Sequence, residues 1–391
     1  MSAHSGQVLR VAIVAGEKSG DYLGSELIKA IKLRHPNAQF VGLCGDLMQE
    51  QGAETLAEMD KISIFGLEGL FSSLREILSI RKKLFNYFIE WQPDVFVGID
   101  VPDFNLTLER KLKQNNIPAV HYVSPTVWAW RGGRIKKIRR SIDLMLTLFP
   151  FEKKYYQQHS TPVEYVGHPL AKQILNWSVN PEIKEKFSTT KNNETNDEKL
   201  IAVLPGSRMS EVSRLAPIMF DAIKLLSKQY SNLRFVIPAA NQKVHTYITA
   251  LPSYDSSLAT VVHGNSRDIL SLCDLVVLAS GTAALEAALF AKPMVVMYKV
   301  SKLSAFVFKN SITVEHYSMP NHLINPPIVP ELIQDEATAE NLVDEVNKLL
   351  SDNELYQKTY RALREIAPSL SANSGELACQ AIEQLLSNKK L

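Results

Sequence analysis

"LASGTAALEAAL", residues 278 to 289, is the stretch on which the fold turns. It leaves an apolar β-type run (Leu275 to Leu278), turns through Ser280 and Gly281, and enters an Ala-rich helix holding one carboxylate, Glu286. A strand that bends through two small residues into a helix start is the repeating step of a doubly wound α/β sheet. Working outward, the same step recurs. Short apolar runs alternate with helical patterns at 9–16, 40–45, 94–100, 119–124, 144–150 and 163–167. A second series runs at 200–207, 234–239, 260–264, 275–281 and 293–298. Such alternation reads as βαβ units on parallel sheets.

With 391 residues, 46% of them hydrophobic and 21% charged, the chain is long enough for two cores and too long for one. The expected organisation is an N-terminal domain over 1–170, a second domain over 171–350, and a helical tail over 351–391 that packs on either domain, the N-terminal one included. The polar segment 186–199, without apolar periodicity, reads as a solvated loop near the junction. A formal charge of +2 gives no overall case for nucleic acid as a partner and leaves only a local basic patch open, so no nucleic acid is expected. Cys44, Cys273 and Cys379 lie far apart and suggest neither zinc nor a disulfide framework, which fits a reducing cytoplasm. No apolar run approaches the roughly 18 residues needed to span a bilayer.

Ligands of open α/β sheets bind beyond the carboxyl ends of the strands, so each strand-to-helix turn has a chemical reading. The turn "LPGSRMSEV" puts Gly206, Ser207 and Arg208 at a helix start, and the opening stretch puts Ser280, Gly281 and Thr282 at another. Both offer backbone N–H groups and a positive dipole end to an anion, while Glu286, one turn in, can take a pair of ribose hydroxyls. A nucleotide diphosphate in the second domain is the expected ligand, with ordinary helix capping as the competing reading. The first half differs: "AGEKSGDYLG" matches no phosphate-loop pattern and carries Glu17 and Asp21, so it suits hydroxyls. Asp100 closes "VFVGID" and should emerge at the ligand-facing edge, with Asp103 the better candidate to cap the next helix. His121, inside an apolar strand, reads first as a hydrogen-bonded core histidine, and His168 carries similar weight. No D-x-D pair of the kind that holds a divalent ion appears, so neither a metal nor another cofactor is expected, and helix ends with Arg208 should serve the diphosphate.

The motifs "GEKSGD", "GIDVPDFN", "YVSPTVWAWR", "FPFEK", "VGHPL", "LPGSR", "LASGTAALE", "PNHLI" and "PELIQ", in this order, resemble the lipid-A-disaccharide synthase family across essentially the whole chain. The resemblance implies a fold of two Rossmann-like domains facing across a cleft, the GT-B type. It implies an inverting glycosyltransferase that joins UDP-2,3-diacylglucosamine to 2,3-diacylglucosamine 1-phosphate, releasing UDP and a β(1→6) tetraacyl disaccharide. By resemblance, Asp100 is the leading catalytic candidate, with Glu17 the alternative base. Ser19, Gly20, Asp21 and Asn321 line the acceptor side, and Arg208 and Glu286 serve UDP. Lys18 stands where the family more often has Ala, adding a charge beside Glu17. A sugar-nucleotide 2-epimerase on the same fold, or a non-catalytic sugar-nucleotide or lipid-binding protein, would show similar turns. Product identity separates the first alternative, and turnover the second.

Acylated substrates raise the question of a membrane surface. In residues 66–91, Leu67, Leu70, Phe71, Leu74, Ile77, Leu78, Leu84, Phe85 and Phe88 fall on one helical face. Arg81 projects into that stripe, beside Arg75 and Lys82. One reading has Arg81, Lys82 and Lys83 meeting anionic headgroups, with the protein peripheral on the inner face of the inner membrane. The other is core packing with Arg81 snorkelling or paired. Oligomeric state is open, a homodimer included.

Overall fold

The computed structural model describes residues 8–59, 62, 70–130, 132–188, 198–301 and 314–389. The chain divides into two compact units: residues 1–169 with 372–391, and residues 170–371.

The first unit is built on a parallel sheet of β1 (Arg10–Ala15), β2 (Gln39–Leu43), β3 (Glu54–Thr55), β4 (Val95–Ile99), β5 (Ala119–Tyr122), β6 (Leu144–Thr147) and β7 (Val163–Tyr165), in the order β3-β2-β1-β4-β5-β6-β7. The second has β8 (Lys199–Leu204), β9 (Leu233–Ala239), β10 (Ala259–His263), β11 (Leu275–Ala279), β12 (Met294–Tyr298) and β13 (Glu331–Ile333), in the order β10-β9-β8-β11-β12-β13. Every pairing is parallel. Parallel strands covered by helices on both faces must be apolar throughout, and β4 and β11 are buried at all five positions. Every strand expected from the sequence is present. The additions, β3 and β13, are two- and three-residue edge strands too short to carry a periodicity.

In each sheet the strand order reverses direction once, between β1 and β4 in the first unit and between β8 and β11 in the second. Helices leaving neighbouring strands there go to opposite faces, which opens a crevice at the strand ends. The opening stretch leaves the end of β11, on one side of such a switch point, and forms the helix Thr282–Leu289.

Alternate strand residues and facing helices make the cores. In the second unit Ile201, Val203, Val277 and Val295 pack with Val212, Leu215, Met219 and Phe220 of the helix Met209–Gln229. In the first, Ala12, Val14 and Phe96 pack with Ile77, Ile80, Leu84 and Phe88 of the helix Leu70–Trp91. The tail divides between the units. The helices Asn353–Arg364 and Ile366–Leu370 belong to the second, whereas Ser374–Lys389 packs on Lys18–Arg34 of the first. There Arg34 bonds Glu383 at 2.9 Å and also Glu376, and a Cβ at Gly375 would come within 2.5 Å of the Glu26 carbonyl. The two helices touch that closely because position 375 has no side chain.

Candidate nucleotide and acceptor sites

At the switch point of the second unit lies a cavity of about 390 Å³. Its lining includes all seven residues read from the sequence as nucleotide-binding: Gly206, Ser207 and Arg208 after β8, and Ser280, Gly281, Thr282 and Glu286 after β11. Gly206 has φ +124°, a region that L side chains avoid, and a Cβ there would meet Glu211 at 2.7 Å. This turn lets the Ser207 and Arg208 N–H groups converge on one point. In this structure they donate, at 3.3 and 3.4 Å, to Glu211 Oε2, and the Arg208 guanidinium donates to Glu211 Oε1 at 3.3 Å. A carboxylate from the same helix thus sits where the backbone favours an anion. At the companion turn, Ser280 Oγ donates to the Tyr317 carbonyl at 2.9 Å, so this hydroxyl fixes a loop rather than capping its helix.

Glu286 is mostly buried, with its side chain 15% exposed. Arg267 holds one of its oxygens: its Nε donates to Oε1 at 2.9 Å, and its NH2 lies at ion-pair distance from the same atom, also 2.9 Å. Arg267 is itself set by Gln173 Oε1 at 3.4 Å and by the Trp177 ring, whose centroid lies 5.6 Å away. Trp177 is anchored in turn, its Nε1 donating to the buried Asp268 at 3.2 Å. The carboxylate is therefore oriented by one oxygen while the residue lines the cavity.

In the first unit the turns after β1 and β4 flank the other switch point. Glu17 is the N-terminal flanking residue of the helix Lys18–Arg34 and is exposed, as are Lys18 and Ser19. Gly20 is buried, within packing distance of Ala15 and Ile99. Asp100 is half-buried at the end of β4, at φ +54°, followed by Val101 at φ +41°. Two consecutive left-handed residues, one of them β-branched, make a strained turn. Asp100 Oδ1 accepts from the Val101 N–H at 2.9 Å. Asp103 does not cap the following helix: it lies in its first turn and accepts from Arg134 at 2.6 Å.

Two residues read as acceptor-facing are engaged inside the fold. Asp21 is 4% exposed, and its oxygens accept from the N–H groups of Leu47 at 2.9 Å and Met48 at 3.1 Å. It supplies, from another element, the N-terminal cap that the short helix Asp46–Glu50 lacks. Asn321 is a clip in the second unit. Its Oδ1 accepts from Ile328 and Val329, and its Nδ2 donates to the Val329 carbonyl and to Glu331. Glu331 also accepts from the backbone of Tyr317 and Ser318, which anchors the loop that Ser280 holds.

The helix Leu70–Trp91 sorts the proposed membrane residues. Leu67, and the side chains of Leu70, Phe71 and Leu74, lie outside the described residues. Ile77, Leu84 and Phe88 face the core, with Ile80 beside them. The Arg81 guanidinium lies over the Phe104 ring, 5.9 Å from its centroid, and burial makes it easier to deprotonate than an ordinary arginine. Lys83 donates to the Leu56 carbonyl at 2.9 Å. Arg81 and Lys83 each have a partner within the protein, Lys83 while remaining exposed; Lys82 and Leu78 are exposed as well. Among the described residues no helix is long and apolar enough to cross a membrane.

The profile of the lipid-A-disaccharide synthetase family matches residues 11–385. The chain belongs to this family. It is 42% identical, over 381 residues, to a lipid-A-disaccharide synthase of Pseudomonas putida, covering 97% of this chain and 99% of the relative. Among solved structures it is similar to the UDP-GlcNAc 2-epimerase of Neisseria meningitidis bound to UDP-GlcNAc, with 14% identity, TM-score 0.60, and coverage of 96% of this chain and 100% of that one. It is also similar to MurG of Acinetobacter baumannii, with 13% identity, TM-score 0.56, and coverage of 97% and 100%. At such identities those two likenesses concern the fold alone, and the family assignment rests on the sequence match.

Sequence reasoning missed three parts of this family member's sites. Glu211 stands three residues after Arg208, the spacing of a reciprocal cap, so a local signal existed. Arg267 is 19 residues from Glu286 and Glu331 is 10 from Asn321, and nothing local announces either partnership.

Proposed function

We propose that this chain is an inverting glycosyltransferase that joins UDP-2,3-diacylglucosamine to 2,3-diacylglucosamine 1-phosphate, forming the β(1→6) tetraacyl disaccharide and releasing UDP. The observation that carries this reading is the cavity of the second unit, where two anion-suited turns and an oriented carboxylate meet at one switch point in a member of this family. The diphosphate takes the place of Glu211 on the Ser207 and Arg208 N–H groups, and Glu286 receives the ribose hydroxyls. In the first unit Asp100 acts as general base, with Glu17 and Ser19 on the acceptor side. As the acceptor O6 attacks C1 of the donor sugar, its proton passes to Asp100. The C1–O bond to phosphate breaks, and the electron pair leaves with UDP, stabilised by the helix N-termini and Arg208. Asp21 and Asn321 serve by shaping the loops around these groups.

The acylated substrates place the enzyme at a lipid surface, on the cytoplasmic side of the inner membrane, with Lys82 and Leu78 among the residues that meet it. The epimerase reading has less support, since its likeness is confined to the fold. The test is to incubate the purified protein with UDP-2,3-diacylglucosamine, with and without acceptor, and identify products by mass. Disaccharide and UDP only when both substrates are present support the proposal; conversion of the donor alone overturns it. Asp100→Asn should lower turnover by about 10²- to 10⁴-fold with UDP affinity unchanged, and near-normal turnover would shift the base to Glu17.

A further inference from the structure

The strained turn at Asp100 has something holding it. Residues in sparsely populated backbone regions persist only where the surroundings over-determine them. Asn105, completely buried one turn into the helix Pro102–Gln114, donates from Nδ2 to two successive carbonyls, that of Asp100 at 2.8 Å and that of Ile99 at 3.3 Å. From the other side, the Asp100 N–H donates to the Tyr122 carbonyl at 2.9 Å. Behind Asn105, one helical turn on, Glu109 is also fully buried and meets Nδ1 of the buried His121 at 2.6 Å. Burial raises the Glu109 carboxyl above its ordinary range.

The space for this cluster comes from Gly98. A Cβ there would lie 2.3 Å from Glu109 Oε1 and 2.9 Å from Cβ and Cγ of Asn105, and Gly98 is the register partner of His121. The amide oxygen of Asn105, Oε2 of Glu109 and Nε2 of His121 have no hydrogen-bond partner among the described residues. Buried polar atoms without partners cost stability. A cluster tolerated at that cost, packed against the one strained turn that carries a catalytic candidate, calls for a role beyond core filling.

We propose that Asn105 is a positioning residue for the transfer reaction, its carboxamide tying the Ile99 and Asp100 carbonyls so that the left-handed turn presents Asp100 to the acceptor hydroxyl, with Glu109 and His121 as its buried support. The proposal rests on the assignment of Asp100 as base. Asn105 touches no substrate and acts through Asp100 alone, so its loss should appear in kcat and not in nucleotide binding.

The test compares Asn105→Ala with wild type, using UDP-2,3-diacylglucosamine and 2,3-diacylglucosamine 1-phosphate, in the Asp100 and the Asp100→Asn backgrounds. In the Asp100 background kcat should fall about 10- to 100-fold, with donor KM and UDP affinity within about twofold. In the Asp100→Asn background the same change should cause no further loss, as expected for residues acting as a unit. Val101→Gly, which adopts a positive φ without strain, should restore at least about threefold of the activity lost in Asn105→Ala. Equal losses in both backgrounds, or unchanged kcat in folded Asn105→Ala, would overturn the positioning role. Normal turnover of Asp100→Asn would instead overturn the base assignment beneath it. Should Asn105→Ala fail to fold, Asn105→Ser, which keeps a small polar group there, carries the same comparison.

Discussion

Replacing Glu286 by alanine tests the reading of the opening stretch most directly. Both contacts from Arg267 go to Oε1 of Glu286. If Oε2 takes a ribose hydroxyl, Glu286→Ala removes a charge-assisted hydrogen bond of about 1.5–3 kcal/mol. UDP should then bind roughly 10- to 150-fold more weakly. The cost to the fold should be small. Arg267 is one-third exposed and keeps both Gln173 and the face of Trp177, so losing the ion pair should cost no more than about 1 kcal/mol. Calorimetric titration with UDP and with 2′,3′-dideoxy-UDP separates the two effects, because the second ligand lacks the hydroxyls. Wild type should prefer UDP, and the variant should bind both alike. If the variant loses affinity for both ligands by the same factor, Glu286 shapes the cavity and does not read the ribose; if it loses none, the Ser-Gly-Thr turn is an ordinary helix start.

Asp21→Ala leaves the Leu47 and Met48 N–H groups without their acceptor, a loss of about 2–4 kcal/mol that should lower Tm by roughly 5–15 °C, while turnover per folded molecule stays within about twofold; a turnover defect at unchanged Tm would return Asp21 to the acceptor site. Glu152, buried and bonded by Trp128 Nε1 and the Phe149 N–H, has its pKa pushed up by burial to about 7. Its native state therefore holds a proton that the unfolded chain releases above the ordinary glutamate value of 4.5, so this contribution is complete in acid and is lost as pH rises through about 7. Denaturant titrations should show Glu152→Gln removing a decline of about 3 kcal/mol between those limits, and an identical pH slope in both proteins would show that Glu152 is ionised. Leu78→Asn with Lys82→Glu should reduce co-flotation with anionic liposomes, and binding as good as wild type would exclude this part of the helix as the membrane face.

The doubly wound sheets were legible because parallel strands buried on both faces leave unbroken apolar runs, and because most of those runs end in a turn containing Gly, Ser, Asp or Asn. β3 and β13 were not, since two or three residues fit any periodicity. The tail was readable as helix but not by its destination, which depends on contacts such as Arg34 with Glu383, 349 residues apart. The nucleotide-side residues converge on one cavity because strand order brings the ends of β8 and β11 together, and that order follows from the βαβ alternation that the sequence displays.

Polar side chains at strand ends obey no such rule. Asp21 and Asp100 both follow strands of the first sheet beside the same switch point, and neither residue type nor spacing tells them apart. What separates them is supplied from elsewhere. Asp21 lies beside Gly45, where a Cβ would meet its carboxylate at 2.5 Å, and so it reaches the bare start of the helix Asp46–Glu50 and is drawn inward. Asp100 sits on a turn whose left-handed backbone is tied down by Asn105. A carboxylate turned inward gains backbone donors and loses access to water and substrate; one kept on a strained turn retains access at a cost in local stability. For this reason the acid beside which the backbone is least comfortable is the better candidate for chemistry, and Asp100, at φ +54° ahead of a valine at +41°, meets that description where Asp21, inside a regular helix, does not.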